Sequence, residues 1–118
     1  MRISIVIDCA DTGRLAEFWA AALRYRPAGA LAQYRVLVPA DGANGPNLVL
    51  QQTDDPRLGK NRLHLDLHGG PIEAEVARLQ ALGATTDGDV VELDAIRWVV
   101  MQDPEGNEFC VVNAPEGP

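Results

Sequence analysis

Apolar and polar residues alternate through "RISIVID", with Ile3, Ile5 and Ile7 on one side and Ser4, Val6 and Asp8 on the other. A period of two with one apolar side predicts a strand whose single face is covered. In "DTGRLAEFWAAALRY" the period lengthens: Leu15, Phe18, Trp19, Ala22 and Leu23 share one stripe, and Asp11 suits the N-cap of a helix. "YRVLVP" and "NLVLQQ" follow as strands on either side of the turn-rich "ADGANGP", and "TDDPRLGKN" is a polar connector.

The pattern then begins again. In "RLHLDLH", Leu63, Leu65 and Leu67 face one way and His64, Asp66 and His68 the other. "GGPIEAEVARLQALG" predicts a second helix, with Pro71 in its first turn, Ile72, Val76 and Leu79 along its stripe, and Gly83 at its end. Short strands fit near Ala84–Thr86 and Val90–Leu93. "IRWVVMQ" and "NEFCVV" close the chain as strands joined by the turn "DPEG".

Two rounds of strand, helix and strands predict an internal duplication. Ser4 falls on His64 at a spacing of 60, and Gln51 on Cys110 at a spacing of 59. The expected fold is α+β: two βαβββ modules, 1–54 and 61–114, joined by a connector at 55–60 within one domain of 118 residues. A helix covering one face of each sheet leaves the opposite faces to meet a cavity or another chain.

Composition narrows the partners. Apolar residues make up 47% of the chain, enough for a core, and the net charge of −7 disfavours nucleic acid and anionic membrane. No run approaches the roughly 18 apolar residues of a membrane span. Two cysteines, Cys9 and Cys110, are too few for a disulfide framework and predict a cytoplasmic protein. Cys9 shares the helix-facing side with Ile5 and Ile7, away from Cys110, so no disulfide between them is expected. Walker-type loops, GxGxxG, Cys-x-x-Cys and a serine nucleophile elbow are absent from the sequence, which removes support for nucleotide hydrolysis and dinucleotide redox chemistry.

With "ADTGRLAEFWAAAL" after the first strand, "NRLHLDL" opening the second half and "DPEGNEF" before the last strand, the chain resembles the vicinal oxygen chelate superfamily, in particular its glyoxalase-like, bleomycin resistance and extradiol dioxygenase group. The resemblance implies two modules paired through their first strands, a half-open cup of mixed sheet and helices on the outside. It also implies metal-ligand positions on the first and last strand of each module. Carried onto this chain, these are Ser4, Gln51, His64 and Cys110, the last because the family's glutamate stands four residues after the turn glycine, here Gly106. Only His64 is a usual ligand, so no metal is expected. If one binds, His64, Cys110 and Glu108 would hold it, and zinc suits a thiol and an imidazole better than Mn²⁺ or Mg²⁺ would.

Each candidate has a plain reading beside the chemical one. Cys110 is a small apolar filler, a zinc ligand, or a nucleophile activated by His64. His64 is a neutral histidine bonded to Asp66 or Glu108, or a base acting beside a carbonyl. Trp98 and Val100 fall on the cup side of their strand, where Trp98 is either a flat platform for an aromatic ligand or core. Lys60 and Arg62 would attract an anionic group or simply be solvated.

The expected function is the binding of a small organic molecule in the cup, with Trp98 as platform and His64, Gln51 and Glu108 as orienting groups; Asp66, Cys110, Ser4 and Val100 complete the lining. The alternative is a lyase or isomerase using His64 as base, with Glu108 in support, with or without a divalent metal. A homodimer would bury the open sheets.

Overall fold

The computed structural model describes residues 2–56, 58–59, 61 and 63–113. The fold is α+β, with two βαβββ-like modules and two mixed sheets, and the chain divides into two units, Met1–Arg57 and Leu58–Pro118.

In the first unit, β1 (Ser4–Cys9) leads into α1 (Thr12–Leu23), followed by β2 (Tyr25–Leu31), β3 (Tyr34–Pro39) and β4 (Asn47–Gln52). The strand order is β1-β4-β3-β2, with β1 parallel to β4 and the other pairs antiparallel. Asp11 caps α1 as its position predicts: its carboxylate accepts the Arg14 backbone N–H at 3.1 Å. Leu15, Phe18, Trp19 and Ala22 are buried, and Leu37, Leu48 and Leu50 form the core on the sheet side. Phe18 and Trp19 meet edge to face, with ring centroids 5.1 Å apart.

The helix ends at Leu23 with Arg24 as its C-cap, where the pattern places the end. Arg24 adopts left-handed φ 56°, and its N–H turns back to the Ala20 and Ala21 carbonyls. The chain then enters β2, a strand that the alternation does not reveal. β2 pairs only with β3 at the sheet edge, is exposed after Tyr25, and carries a register shift between Pro27 and Gly29. An edge strand tolerates proline and a bulge because one side of its backbone faces water.

In the second unit, β5 (Leu65–His68) leads into α2 (Ile72–Ala81), then β6 (Thr85–Thr86), β7 (Val91–Leu93), β8 (Ile96–Gln102) and β9 (Glu108–Asn113). The order is β5-β9-β8-β6, with β7 also pairing β8; β5 and β9 are parallel and the rest antiparallel. Pro71 stands at the N-cap of α2, Glu73 and Glu75 occupy its first turn, and Arg78 its last, the arrangement the helix dipole favours. Gly83 follows with φ 114°, a backbone that side chains rarely adopt, and a Cβ there would lie 3.3 Å from Pro104. α2 packs on β9, β8 and β6. Ile72 and Leu79 are fully buried, while Val76 on the same stripe is half-buried.

Two expectations are corrected. β5 begins at Leu65, so His64 stands just ahead of the strand, and Leu63 is 88% exposed where the alternation had put it with the apolar side. Among the described residues no helix is long and apolar enough to cross a membrane.

Candidate functional site

The register of β5, β9 and β8 sorts the second sheet into two faces. Leu65 pairs with Phe109 and Leu67 with Val111; Met101 and Val99 pair with the same two residues from the other side. Phe109, Val111, Val99 and Met101 are all buried, which makes this the face under α2. The residues between them must point the other way.

That opposite face is a grid. Asp66, Cys110 and Val100 form one row across β5, β9 and β8; His68, Val112 and Trp98 form the next. Glu108 and Gln102 pair in a third row, and Val91 extends the Trp98 row onto β7. Trp98 and Val100 therefore share a face with Cys110, with Trp98 diagonal to it at a spacing aromatic side chains bridge. Trp98, Val100, Gln102 and Glu108 are half-buried, and His68 is exposed. His68, which the alternation puts on the side of Asp66, lies on this face, as do Gln102 beyond Val100 and Val112 beyond Cys110.

His64 folds back onto the grid. Its Nε2 lies 3.2 Å from Asp66 Oδ1, with about half of each side chain exposed. The Cys110 sulfur joins them: one ligand atom from each of His64, Asp66 and Cys110 lies within 4.8 Å of the other two. Cys110 itself is only 8% exposed, and both cysteines are thiols outside any disulfide. Glu108, although on the same face, is outside this cluster, so the carboxylate that accompanies His64 and Cys110 is Asp66.

The turn "DPEGN" sets where β9 starts. Asp103, 3% exposed, accepts the backbone N–H groups of Glu105 and Asn107 at 2.8 and 3.0 Å through Oδ1, and the Asn107 amide at 2.9 Å through Oδ2. Its own N–H donates to the Asn107 carbonyl at 2.8 Å, and Gly106 completes the turn with φ 87°. A carboxylate receiving this many donors fixes the loop and with it the register of Glu108 and Cys110.

A second polar cluster joins α2 to the strands. Arg97 donates to Glu73 at 2.8 Å and to Glu92 at 3.1 Å. The hydrogen bond from Arg97 holds the Glu73 carboxyl below the usual glutamate range, and Glu73 raises Arg97 in return.

In the first unit Ser4 and Gln51 share the face turned away from the buried leucines, as their positions predict, together with Val6, Asp8 and Val49. They do not meet. Gln51 pairs with Asp8 and Ser4 with Asn47, four residues apart, about 13 Å along the strands at the usual rise. The N-caps Asp11 and Pro71 stand 60 apart, as do Ser4 and His64. In that alignment the pair Val6–Val49 takes the place of Asp66–Cys110. The correspondence of Gln51 with Cys110 therefore gives way to Val49 with Cys110, and the first unit has no polar counterpart of the second unit's cluster at those positions. Lys60 and Arg62 lie outside the described residues.

The model of the glyoxalase-like domain family matches residues 4–112. The chain belongs to this family. None of the curated proteins compared matches it. Among solved structures it is similar to a glyoxalase/bleomycin resistance protein/dioxygenase family enzyme from Burkholderia phytofirmans, with 16% identity, TM-score 0.79, and coverage of 95% of this chain and 97% of that one. It is also similar to a glyoxalase/bleomycin resistance protein from Albidiferax ferrireducens, with 18% identity, TM-score 0.70 and the same two coverages. A mutant of the fosfomycin resistance protein FosX from Listeria monocytogenes, complexed with Mn(II) and 1S,2S-dihydroxypropylphosphonic acid, shares 12% identity at TM-score 0.77, covering 95% of this chain and 88% of that one. At these identities the likeness is one of fold.

The FosX mutant structure holds Mn(II), and the residues present here can be weighed against a metal ion. A hard cation wants several oxygen donors, whereas His64, Asp66 and Cys110 offer one nitrogen, one oxygen and one sulfur. That donor chemistry fits a borderline ion such as zinc, with the imidazole, a carboxylate oxygen and the thiolate as its ligands.

Proposed function

We propose that this member of the glyoxalase-like family binds a small organic molecule on the open face of its second sheet. The observation that carries the reading is the grouping of His64, Asp66 and Cys110 beside Val100 and Trp98 on the face α2 does not cover. Trp98 offers a flat apolar surface, Val100 and Val112 extend it, and the His64–Asp66 pair gives a donor and an acceptor to orient a polar group. FosX, a protein of the same fold, is known with a small phosphonic acid bound. Its ligand is not assigned to this chain, but it supports a small molecule as the class of partner.

A second reading has its own support. An imidazole held by a carboxylate at 3.2 Å is the arrangement that orients a histidine as a general base, so proton abstraction beside a carbonyl is the reaction class this face would serve. In that case the protein is a lyase or isomerase.

One experiment addresses both. A panel of small aromatic and heterocyclic carbonyl compounds is screened by ligand-observed NMR against the wild type, Trp98→Ala and His64→Ala. Binding predicts hits that Trp98→Ala weakens, with His64→Ala lowering affinity and no product formed. An enzyme predicts product from the wild type and none from His64→Ala. Hits that bind equally to all three proteins would remove this face from consideration.

A further inference from the structure

The two faces of the second sheet are sorted by charge. Both described arginines of this unit lie on the helix side and are engaged there by glutamates: Arg78 by Glu75 within α2 at 2.9 Å, and Arg97 by Glu73 and Glu92 at 2.8 and 3.1 Å. The open face has acids instead. Asp66 and Glu108 stand on it in the registers of β5 and β9, and Asp87 reaches its edge, where the Gln102 amide donates to its carboxylate at 3.5 Å. Among the described residues no lysine or arginine is on this side, and its basic groups are the imidazoles of His64 and His68. At the usual strand spacings Asp66 and Glu108 are about 8 Å apart at the backbone, and Trp98 is about 12 Å from Asp66. Cys110, buried between them, has the smallest side chain of the row it shares with Asp66 and Val100, which leaves space above it.

We infer that the molecule this face takes is an organic cation: an aromatic or heteroaromatic ring on Trp98, joined by a short linker to a protonated amine that meets Asp66 and Glu108. The inference rests on the reading of this face as the binding face and names the ligand class it would take. An anionic ligand would bring like charge against these carboxylates, with no guanidinium or ammonium among the described residues to offset it. A neutral one would strip water from them while supplying too few donors in return. An ammonium brings three N–H donors and the opposite charge, and the face of an indole attracts a cation as well as an apolar ring. His64 meets Asp66 at Oδ1 alone, and a carboxylate accepts at about four positions.

The test uses the full chain and three probes that share a ring and differ in charge: phenethylammonium, phenethyl alcohol and hydrocinnamate. Titrations are followed by NMR on the indole N–H of Trp98, with the buried Trp19 as internal reference. The expected result is that the ammonium binds about tenfold tighter than the alcohol and that the carboxylate is weaker than both. Asp66→Asn and Glu108→Gln each weaken the ammonium by about fivefold or more and leave the alcohol within about twofold. Trp98→Ala, read on the backbone amides of β8 and β9, weakens the ammonium and the alcohol together. Glu17→Gln removes an exposed acid of α1 in the first unit and leaves all three probes unchanged, because the preference belongs to the face and not to the net charge of −7. A carboxylate that binds as tightly as the ammonium, an ammonium preference that survives both Asp66→Asn and Glu108→Gln, or an equal loss in Glu17→Gln would overturn the inference. The comparison of the three probes on the wild type needs no variant to fold. The two ideas fail differently. Shifts at Trp98 without a charge preference sink the cation alone and keep the face, whereas no shift at Trp98 from any of the three sinks the face and the cation together.

Discussion

Asp66 stands directly beside Cys110 in the parallel pairing of β5 with β9, and Val100 stands beside Cys110 on its other side. One strand position away, Val99 is buried beneath α2. The boundary between core and open face therefore runs between two adjacent valines of identical chemistry, which makes the pair a direct test of sidedness. Val99→Trp should overpack the core and cost about 1–3 kcal/mol or more. Val100→Trp should cost little in urea unfolding but obstruct ligands on the open face. Equal losses of stability from the two substitutions would contradict the face assignment.

Arg24 occupies a left-handed cap where a side chain costs about 1–2 kcal/mol relative to right-handed backbone. Arg24→Gly should relieve that cost, offset partly by the greater freedom of glycine in the unfolded chain, for a net stabilisation of about 0.5–1 kcal/mol. Thermal unfolding of the two proteins measures it, and a lower midpoint for the glycine variant would count against the cap geometry.

Much of the site was legible because a strand's side chains alternate without exception. Read as strands, "RLHLDLH" puts His64 with Asp66 and "RWVVMQ" puts Trp98 with Val100; that these residues and Cys110 share one side is what the resemblance implied. What alternation cannot supply is register. The pairing of Gln51 with Asp8 is decided by backbone hydrogen bonds between strands over forty residues apart, so the correspondence of Gln51 with Cys110 slipped to Val49. β2 stayed hidden for a different reason: "YRPAGAL" has a proline, a glycine and two alanines, and it is an edge strand held by β3, not by its own propensity. The turn at "DPEG" was plain from its residues, but the burial of Asp103 was not, because it depends on which donors the folded loop brings to the carboxylate.

That carboxylate is the basis of the next expectation. Asp103→Ala leaves the N–H groups of Glu105 and Asn107 without their acceptor in a half-buried turn, and should cost about 1–3 kcal/mol. Asp103→Asn retains one carbonyl oxygen for those two donors and should cost less. Amide hydrogen exchange at Glu105 and Asn107 reports the loss locally. Unchanged protection in the alanine variant would show that the loop does not depend on the side chain.

Glu73 carries a pH dependence whose sign follows from its partner. Its folded-state pKa is lowered by the hydrogen bond and charge of Arg97, so between the folded and the ordinary glutamate value the unfolded chain binds more protons than the folded one. The contribution of the pair is thus present at neutral pH and is lost as the pH falls through the lowered value. Both side chains are at the surface, so the effect should be small and weakened by salt. Carboxyl-detected NMR should show Glu73 titrating below ordinary glutamates, and Arg97→Ala should return it to their range; a Glu73 curve indifferent to Arg97 would refute the assignment.

Tyr25 gives the corresponding test at alkaline pH. Its hydroxyl donates to the Pro46 carbonyl at 2.8 Å, and partial burial pushes its pKa above the usual tyrosine value. A Cβ on Gly45 would run into that hydroxyl, so the glycine, at φ 154°, lets the loop before β4 close over the ring. Because the folded pKa is raised, the folded chain holds its proton at pH values where the unfolded chain has lost it. The stability associated with the neutral phenol is complete below the ordinary tyrosine pKa and declines as the pH rises towards the folded value. Spectrophotometric titration of the native protein should therefore show one of its two tyrosines ionising later than free tyrosine. Tyr25→Phe should remove that late step. Gly45→Ala should disturb the Tyr25–Pro46 contact, and a late step that persisted unchanged in the alanine variant would argue that Gly45 does not hold the ring in place.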